Sequence, residues 1–120
     1  MLNLDTHILI YALSGDLQVH EKKLLEDEEW SISAVVYWEL AKLSQLGRID
    51  FDLENREVLR ILSRIHLWPI TLEICQNIKR VDVRVDPADE IIGATSITYQ
   101  IPLLTRDKKL KASSTIPLLK

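Results

Sequence analysis

Short apolar runs alternate with helical stretches along the whole chain. The candidate strands lie at residues 2–5, 30–33, 67–70 and 102–104, with a further edge-strand candidate at 116–119. Parallel strands need long crossover connections, which are usually helices, and their sheets are buried on both faces. The alternation therefore predicts an α/β fold in which helices flank a central, mostly parallel sheet. A chain of 120 residues is long enough to bury a core, and we expect one domain spanning residues 1–120.

Local signals place the helices between these strands. We predict helices at residues 7–13, 19–28, 34–46, 52–65, 71–81 and 88–99. Asp52 and Thr71 are suitable N-caps for two of them, and Pro87 suits the first turn of the last. Pro69 lies inside the third strand candidate, which favours a position at the edge of the sheet. Gly93 and Ala94 would let the last helix approach the sheet closely.

Composition and charge narrow the range of functions. The formal net charge is −3, which argues against simple non-specific binding to nucleic acid. The basic residues that follow the fourth strand form a local cluster instead: Arg106, Lys108, Lys109 and Lys111.

Cys75 is the one cysteine, so we expect a reducing compartment and interpret it as a small buried hydrophobe. With no signal-peptide pattern and no membrane-length apolar run, we expect a cytoplasmic protein that does not contact membranes.

Acidic residues follow two of the apolar strands. Asp5 comes directly after the first strand, and Asp107 follows the run that ends at Leu104-Thr105. In open parallel sheets, ligands gather at the carboxyl ends of the strands. The pattern therefore predicts a functional site at that edge of the sheet.

Two further acids lie on helical faces that are otherwise apolar. Glu39 shares a face with Val35 and Leu43, and a carboxylate there is costly unless it is paired or binds a metal. A salt bridge to a lysine or arginine is the simpler alternative for Glu39. Asp89 lies one turn into the last helix, where the helix dipole also favours an acid. Asp86 precedes that helix and is interpreted as its N-cap.

The four acids Asp5, Glu39, Asp89 and Asp107 would converge at one end of the sheet. Their ionised forms repel each other and are stable together only with a cation. Oxygen ligands without histidine or cysteine favour Mg²⁺ or Mn²⁺ over zinc, and the three histidines share no ligand spacing. Such ions activate water and stabilise charge on phosphodiesters, so metal-dependent phosphodiester hydrolysis is the leading hypothesis.

At this point the sequence resembles the PIN-domain family, and within it the VapC-type toxins of toxin–antitoxin pairs. The resemblance covers essentially the whole chain and rests on four motifs in order: Leu4-Asp5-Thr6; Ser31-Ile32-Ser33 with Glu39-Leu40; Asp86-Pro87-Ala88-Asp89 with Ile91-Ile92-Gly93-Ala94-Thr95; and Leu104-Thr105-Arg106-Asp107. It implies a three-layer α/β/α fold and a metal-dependent endoribonuclease. Family members use four acids that match Asp5, Glu39, Asp89 and Asp107 as catalytic residues and metal ligands.

The resemblance also implies substrate contacts and partners. Thr6 and Thr105 match positions whose hydroxyls support the acids or reach the scissile phosphate. We take Arg106 and Lys108 as candidate RNA contacts, whereas Glu90 stands where many relatives carry a basic residue. Proteins of the VapC type are usually homodimers, are inhibited by a small antitoxin protein and cut structured RNA such as tRNA or rRNA.

Two functions of other classes remain open from sequence. A receiver-type signalling domain has the same alternation of strands and helices and also gathers acids near the first strand. It needs an aspartate at the end of its central strand, whereas the region 67–70 ends without one. The other alternative is a non-catalytic module that acts by binding a partner.

Overall fold

The computed structural model describes residues 1–119, in which four parallel strands form one sheet. The strands are β1 (Leu2–Leu4), β2 (Trp30–Ser33), β3 (His66–Trp68) and β4 (Leu103–Leu104). Their order in the sheet is β3-β2-β1-β4. The α/β prediction is confirmed, and the third strand lies at an edge of the sheet as predicted, but it ends at Trp68, so Pro69 follows the strand instead of lying inside it.

Seven α-helices surround this sheet within the described residues and complete a three-layer α/β/α arrangement. They are α1 (Thr6–Ser14), α2 (Val19–Leu25), α3 (Ala34–Gln45), α4 (Arg56–Leu62), α5 (Leu72–Gln76), α6 (Pro87–Tyr99) and α7 (Lys108–Lys111). A 3₁₀ turn over Asn77–Arg80 continues α5. Thr71 caps α5, and Pro87 occupies the first turn of α6, as predicted.

The register of the central strands brings two chain segments to the same edge. Leu4 of β1 pairs with Leu104 of β4, and the N–H of Asp5 donates to the carbonyl oxygen of Leu104 at 3.1 Å. Asp5 and Thr105 therefore emerge side by side where the two strands end. This edge is the one at which open parallel sheets bind ligands.

A polar side chain inside the core attaches α6 to β1. Asn3 is fully buried, and its Nδ2 donates to the carbonyl of Ile92 at 3.1 Å and to Oγ of Ser96 at 2.9 Å. Ile92 and the surrounding apolar residues are also buried. Full burial of one such aliphatic side chain contributes about 1.5–3 kcal/mol, so packing holds the helix and Asn3 selects its position along the strand.

Gly93 marks a close contact on α6, but its neighbour is not a strand. A Cβ atom at this position would lie 2.7 Å from Cδ1 of Ile116 and 3.7 Å from Cγ2 of Val81. Ile116 belongs to the segment that follows α7 and is buried. The small residue therefore makes room for the C-terminal segment against α6.

We expect Gly93→Val to destabilise the fold by about 1–3 kcal/mol, because the added atoms overpack this contact. Urea denaturation measures the change. Ala41→Val, on the exposed side of α3, is the matched control and should cost no more than about 0.7 kcal/mol in helix propensity. Equal stability of Gly93→Val and wild type would contradict the packing described here.

Several predicted helix boundaries are wrong, including the end of α4 at Leu62 instead of residue 65 and the end of α5 at Gln76 instead of residue 81. Helix α4 begins at Arg56 and is capped by Asn55, which accepts from the N–H groups of two residues in the first turn. Asp52 instead accepts from the N–H of Glu54 in a tight turn. Helix α2 ends at Leu25 rather than residue 28, because the acids that follow are unfavourable at a helix C-terminus.

Other expectations also differ from the structure. Cys75 is exposed, since α5 is short and turns only Ile74 into the core. The segment 116–119 adds one bridge, from Leu118 to Leu103, rather than a full strand. Among residues 1–119, no helix has both the length and the apolarity that a membrane crossing requires.

Candidate functional site

Asp5 is held in place by the start of α1 and by β4. It is buried, with 4% of its surface exposed, and it is the N-cap of α1, where its Oδ1 accepts from the N–H of His7 at 3.2 Å. The hydroxyl of Thr105 donates to its other carboxylate oxygen. Both oxygens are therefore oriented by the fold.

Asp107 is the N-cap of α7 and is linked to Asp5 through the hydroxyl of Thr105. Its Oδ1 accepts from the N–H groups of Lys109 at 2.8 Å and Leu110 at 3.1 Å. Its own N–H donates to Oγ1 of Thr105 at 3.0 Å. Thr105 thus accepts from the backbone of Asp107 while it donates to Asp5, so the structure brings these three predicted residues together.

Glu39 reaches toward the same edge from α3. It is half-buried, and the hydroxyl of Thr6 donates to its Oε1. Burial raises the pKa of Glu39, and the nearby charge of Asp5 raises it further. No lysine or arginine in the described part of the chain forms a salt bridge with it.

Asp89 is the acid most strongly perturbed by its surroundings. Burial is the largest cause of a rise in its pKa to about 7, and the charges of Asp5, Glu39 and Asp107 contribute to the same rise. A neighbouring charge changes the pKa of a carboxyl group strongly only when it lies close to that group. The four acids therefore form one electrostatic cluster, although each comes from a different helix or helix cap.

Asp86 differs from its expected role as a cap. It occupies the N-cap position of α6, but its side chain makes no capping hydrogen bond. It is exposed and lines a cavity of about 270 Å³ together with Asp89, Asp107, Lys108 and Lys109. Its charge contributes to the raised pKa of Asp89, so it belongs to the acidic surroundings of the site.

A second cavity, of about 200 Å³, also borders Asp107. It is lined by Asp5, His7, Tyr11, Arg106 and Asp107. The two cavities share Asp107, and between them they are lined by Asp5, Asp89 and Asp107 but not by Glu39. Lys108 and Lys109 give the first cavity a positive rim.

Sequence reasoning missed the surroundings of Arg106. Its guanidinium donates to both carboxylate oxygens of Glu21, at 2.7 and 2.6 Å, and lies 3.8 Å from the centre of the Tyr11 ring. The electrostatic effect of the nearby His7, for which the sequence indicates no role, lowers the pKa of Glu39. The one available signal was the spacing of Gln18 and Glu21, which form a capping box on α2.

The candidate ligand atoms are of the chemical type that a hard divalent cation prefers. All candidate ligands are carboxylate oxygens, which Mg²⁺ and Mn²⁺ prefer. Within residues 1–119, no group of three His, Cys, Asp or Glu side chains is arranged to hold a metal ion. Mg²⁺ usually retains several waters and takes only one or two carboxylates from a protein, so a pair of these acids with water would suffice.

Comparison with protein families identifies the chain. The family model described as PIN domain matches residues 3–114. The chain belongs to the PIN domain family. A sequence comparison with curated proteins finds no match.

Solved structures share the fold of this PIN domain along nearly its whole length. One is a toxin–antitoxin complex from Klebsiella pneumoniae, with 22% identity, a TM-score of 0.74 and coverage of 99% of this chain and 97% of the other. VapBC2 from Rickettsia felis, bound to a DNA fragment from its promoter, has 20% identity, a TM-score of 0.75 and coverage of 99% and 98%. FitAcB from Neisseria gonorrhoeae has 18% identity, a TM-score of 0.69 and coverage of 100% and 97%. At these identities the likeness shows the fold.

Proposed function

We propose that this PIN domain is a metal-dependent endoribonuclease and the toxin of a toxin–antitoxin pair. The observation that carries the proposal is the raised pKa of Asp89, to about 7, under the combined influence of burial and three other acids. Fold stability alone gives no reason to gather like charges at the open edge of a sheet, because such a cluster destabilises the folded state. A perturbed group in a groove is a candidate functional residue.

Asp5 and Asp89 are the residues we propose to hold Mg²⁺ or Mn²⁺, with Asp107 and Glu39 completing the site directly or through water. A hard divalent ion there would activate water and stabilise negative charge on a phosphodiester. Thr105 keeps the carboxylate of Asp5 oriented, and Thr6 does the same for Glu39. For Glu39, whose pKa is also raised, we propose the role of accepting a proton from the attacking water.

RNA would approach along the two cavities beside the acids. Lys108 and Lys109 line the cavity that also contains Asp89, and they are positioned to contact phosphates on its rim. The net charge of −3 means that affinity depends on such local positive charge rather than on the whole surface. We propose structured RNA, tRNA or rRNA, as the substrate in the cytoplasm.

The structural neighbours support an antitoxin as a partner. They include a toxin–antitoxin complex and the two-component assemblies VapBC2 and FitAcB. We propose that a small antitoxin protein inhibits this chain and that two copies of the chain form a homodimer. Exposed apolar side chains, among them Trp38 and Leu72 with 58% and 74% of their surfaces accessible, are available for such contacts.

The proposal is tested by incubating purified protein with total RNA in EDTA, in Mg²⁺ and in Mn²⁺, followed by sequencing of the new RNA ends. We expect cleavage at a few sites in tRNA or rRNA with either ion and none in EDTA. Single-stranded DNA of the same sequence as a cleaved site serves as the substrate control. Absence of RNA cleavage with both ions, or equal cleavage of the DNA, would overturn the assignment as a ribonuclease.

A further inference from the structure

We propose that Glu21 is a positioning residue that, through Arg106, fixes the segment carrying Thr105 and Asp107 against the start of α1. The proposal rests on the function proposed above and assigns a role in it to a residue outside the acidic cluster. Glu21 belongs to α2, and its charged group contacts neither cavity that the acids share.

The carboxylate of Glu21 is buried and fully engaged. Its side chain is 3% exposed, and Oε1 accepts from the N–H of Gln18 at 2.7 Å as well as from Nη2 of Arg106 at 2.6 Å. Oε2 accepts from Nε of Arg106 at 2.7 Å. The two parallel bonds hold the guanidinium in one plane, a geometry that a lysine in place of Arg106 would not provide.

Arg106 connects this carboxylate to the parts of the chain that carry the acids. Its Nη2 also donates to the carbonyl of Asp16 at 3.2 Å, in the loop between α1 and α2. Its guanidinium carbon lies 3.8 Å from the centre of the Tyr11 ring on α1, the helix that Asp5 caps. The neighbours of Arg106 in sequence are Thr105 and Asp107. The side chain of Arg106 therefore connects the segment that carries Asp107 to α1, the helix that Asp5 caps.

This arrangement conflicts with a role for Arg106 as an RNA contact. A phosphate would compete with the buried carboxylate for the same N–H groups, and withdrawal of Arg106 would leave the charge of Glu21 buried and unpaired. Four of its contacts are already made inside the protein. The side chain is therefore used for alignment, and small errors in the alignment of reacting groups reduce rates strongly.

If Arg106 aligns the site with Glu21, the kinetics differ from those expected if Arg106 binds RNA. The variants that separate the two roles are Glu21→Gln, Arg106→Gln and the double variant. With Glu21 as a positioning residue, each single variant should lower kcat about 10- to 100-fold with KM unchanged, and the double variant should be no slower than the worse single one. If Arg106 binds RNA instead, Arg106→Gln raises KM while Glu21→Gln does not. That second pattern overturns the proposal.

A readout without substrate separates this proposal from the proposed ribonuclease. Amide hydrogen exchange of Asp107, whose N–H donates to Thr105, should accelerate at least tenfold in Glu21→Gln even if wild type cleaves no RNA. Glu57→Gln is the matched control, because Glu57 also pairs with an arginine, Arg60, but at the exposed surface. Unchanged exchange at Asp107 in both Glu21→Gln and the double variant would contradict the positioning role of Glu21. The double variant is included for the case in which Glu21→Gln alone, which leaves Arg106 without its partner, does not fold.

Discussion

Asp5→Asn should lower the rate of RNA cleavage by at least about a thousandfold while the protein stays folded. The proposed ion stabilises transition-state charge by several kcal/mol, and each 1.36 kcal/mol of lost stabilisation is about tenfold in rate. Asparagine caps helices as well as aspartate does, and its amide nitrogen can accept neither an ion nor a proton. The loss should therefore fall on catalysis rather than on the start of α1.

Single-turnover kinetics measures the loss of cleavage rate, and circular dichroism checks that Asp5→Asn stays folded. A further consequence is visible without RNA, because the charge of Asp5 helps raise the pKa of Asp89. NMR titration should find a lower pKa for Asp89 in Asp5→Asn. Asp50→Asn, at an exposed position, is the control and should change neither quantity. Wild-type cleavage rates in Asp5→Asn would remove Asp5 from the mechanism.

Asp89→Asn should also abolish cleavage, yet it should make the metal-free protein more stable above neutral pH. The carboxyl group of Asp89 has an ordinary pKa of 3.8 and a pKa of about 7 in the folded protein. Between these values the folded state binds more protons than the unfolded state, so the contribution of this group to stability falls as pH rises. The penalty is complete above about pH 7, where the carboxylate is ionised inside the cluster.

A pKa difference of one corresponds to about 1.4 kcal/mol. Since Asp89 is only half-buried, solvent screening reduces the total, and we expect Asp89→Asn to gain about 1–2 kcal/mol at pH 8. Urea denaturation in EDTA should show that gain shrinking toward pH 5, and Mg²⁺ at pH 8 should reduce it by stabilising wild type alone. Asp52→Asn, an exposed cap of a turn, is the control and should gain no stability at pH 8. A gain independent of pH would mean that the pKa of Asp89 is not raised in the folded protein.

The parts of the molecule that depend on local pattern were predictable from sequence. The strand at residues 30–33 alternates polar and apolar side chains, and its bounds agree with β2 (Trp30–Ser33). Pro87 and Thr71 fix helix starts by stereochemistry that involves only a few neighbouring residues. Because parallel strands all end at one edge, the fold alone places Asp5 and Thr105 together. The roles of the four acids and of Thr6, Thr105 and Lys108 remain proposals.

The features that the sequence did not reveal depend on tertiary contacts or on the length of a helix. Glu21 and Arg106 are 85 positions apart, and nothing in either local sequence marks them as partners. Asp86 has every local property of a cap, yet its side chain makes no capping hydrogen bond. Burial of Cys75 is the expectation for a regular helix over 71–81, whereas α5 spans only Leu72–Gln76 and Cys75 is exposed. In each case tertiary contacts or element length decided the outcome.

The buried amide of Asn3 has a consequence for the distance between two acids of the site. Its donors bond to Ile92 and Ser96 on α6, while its Oδ1 has no hydrogen-bond partner among residues 1–119, which costs free energy. Asp5 lies two residues beyond Asn3, and Asp89 lies three residues before Ile92. A slide of α6 by one residue, about 1.5 Å, would break both bonds, so the spacing of Asp5 and Asp89 is set in the core, where changes at the surface do not reach it.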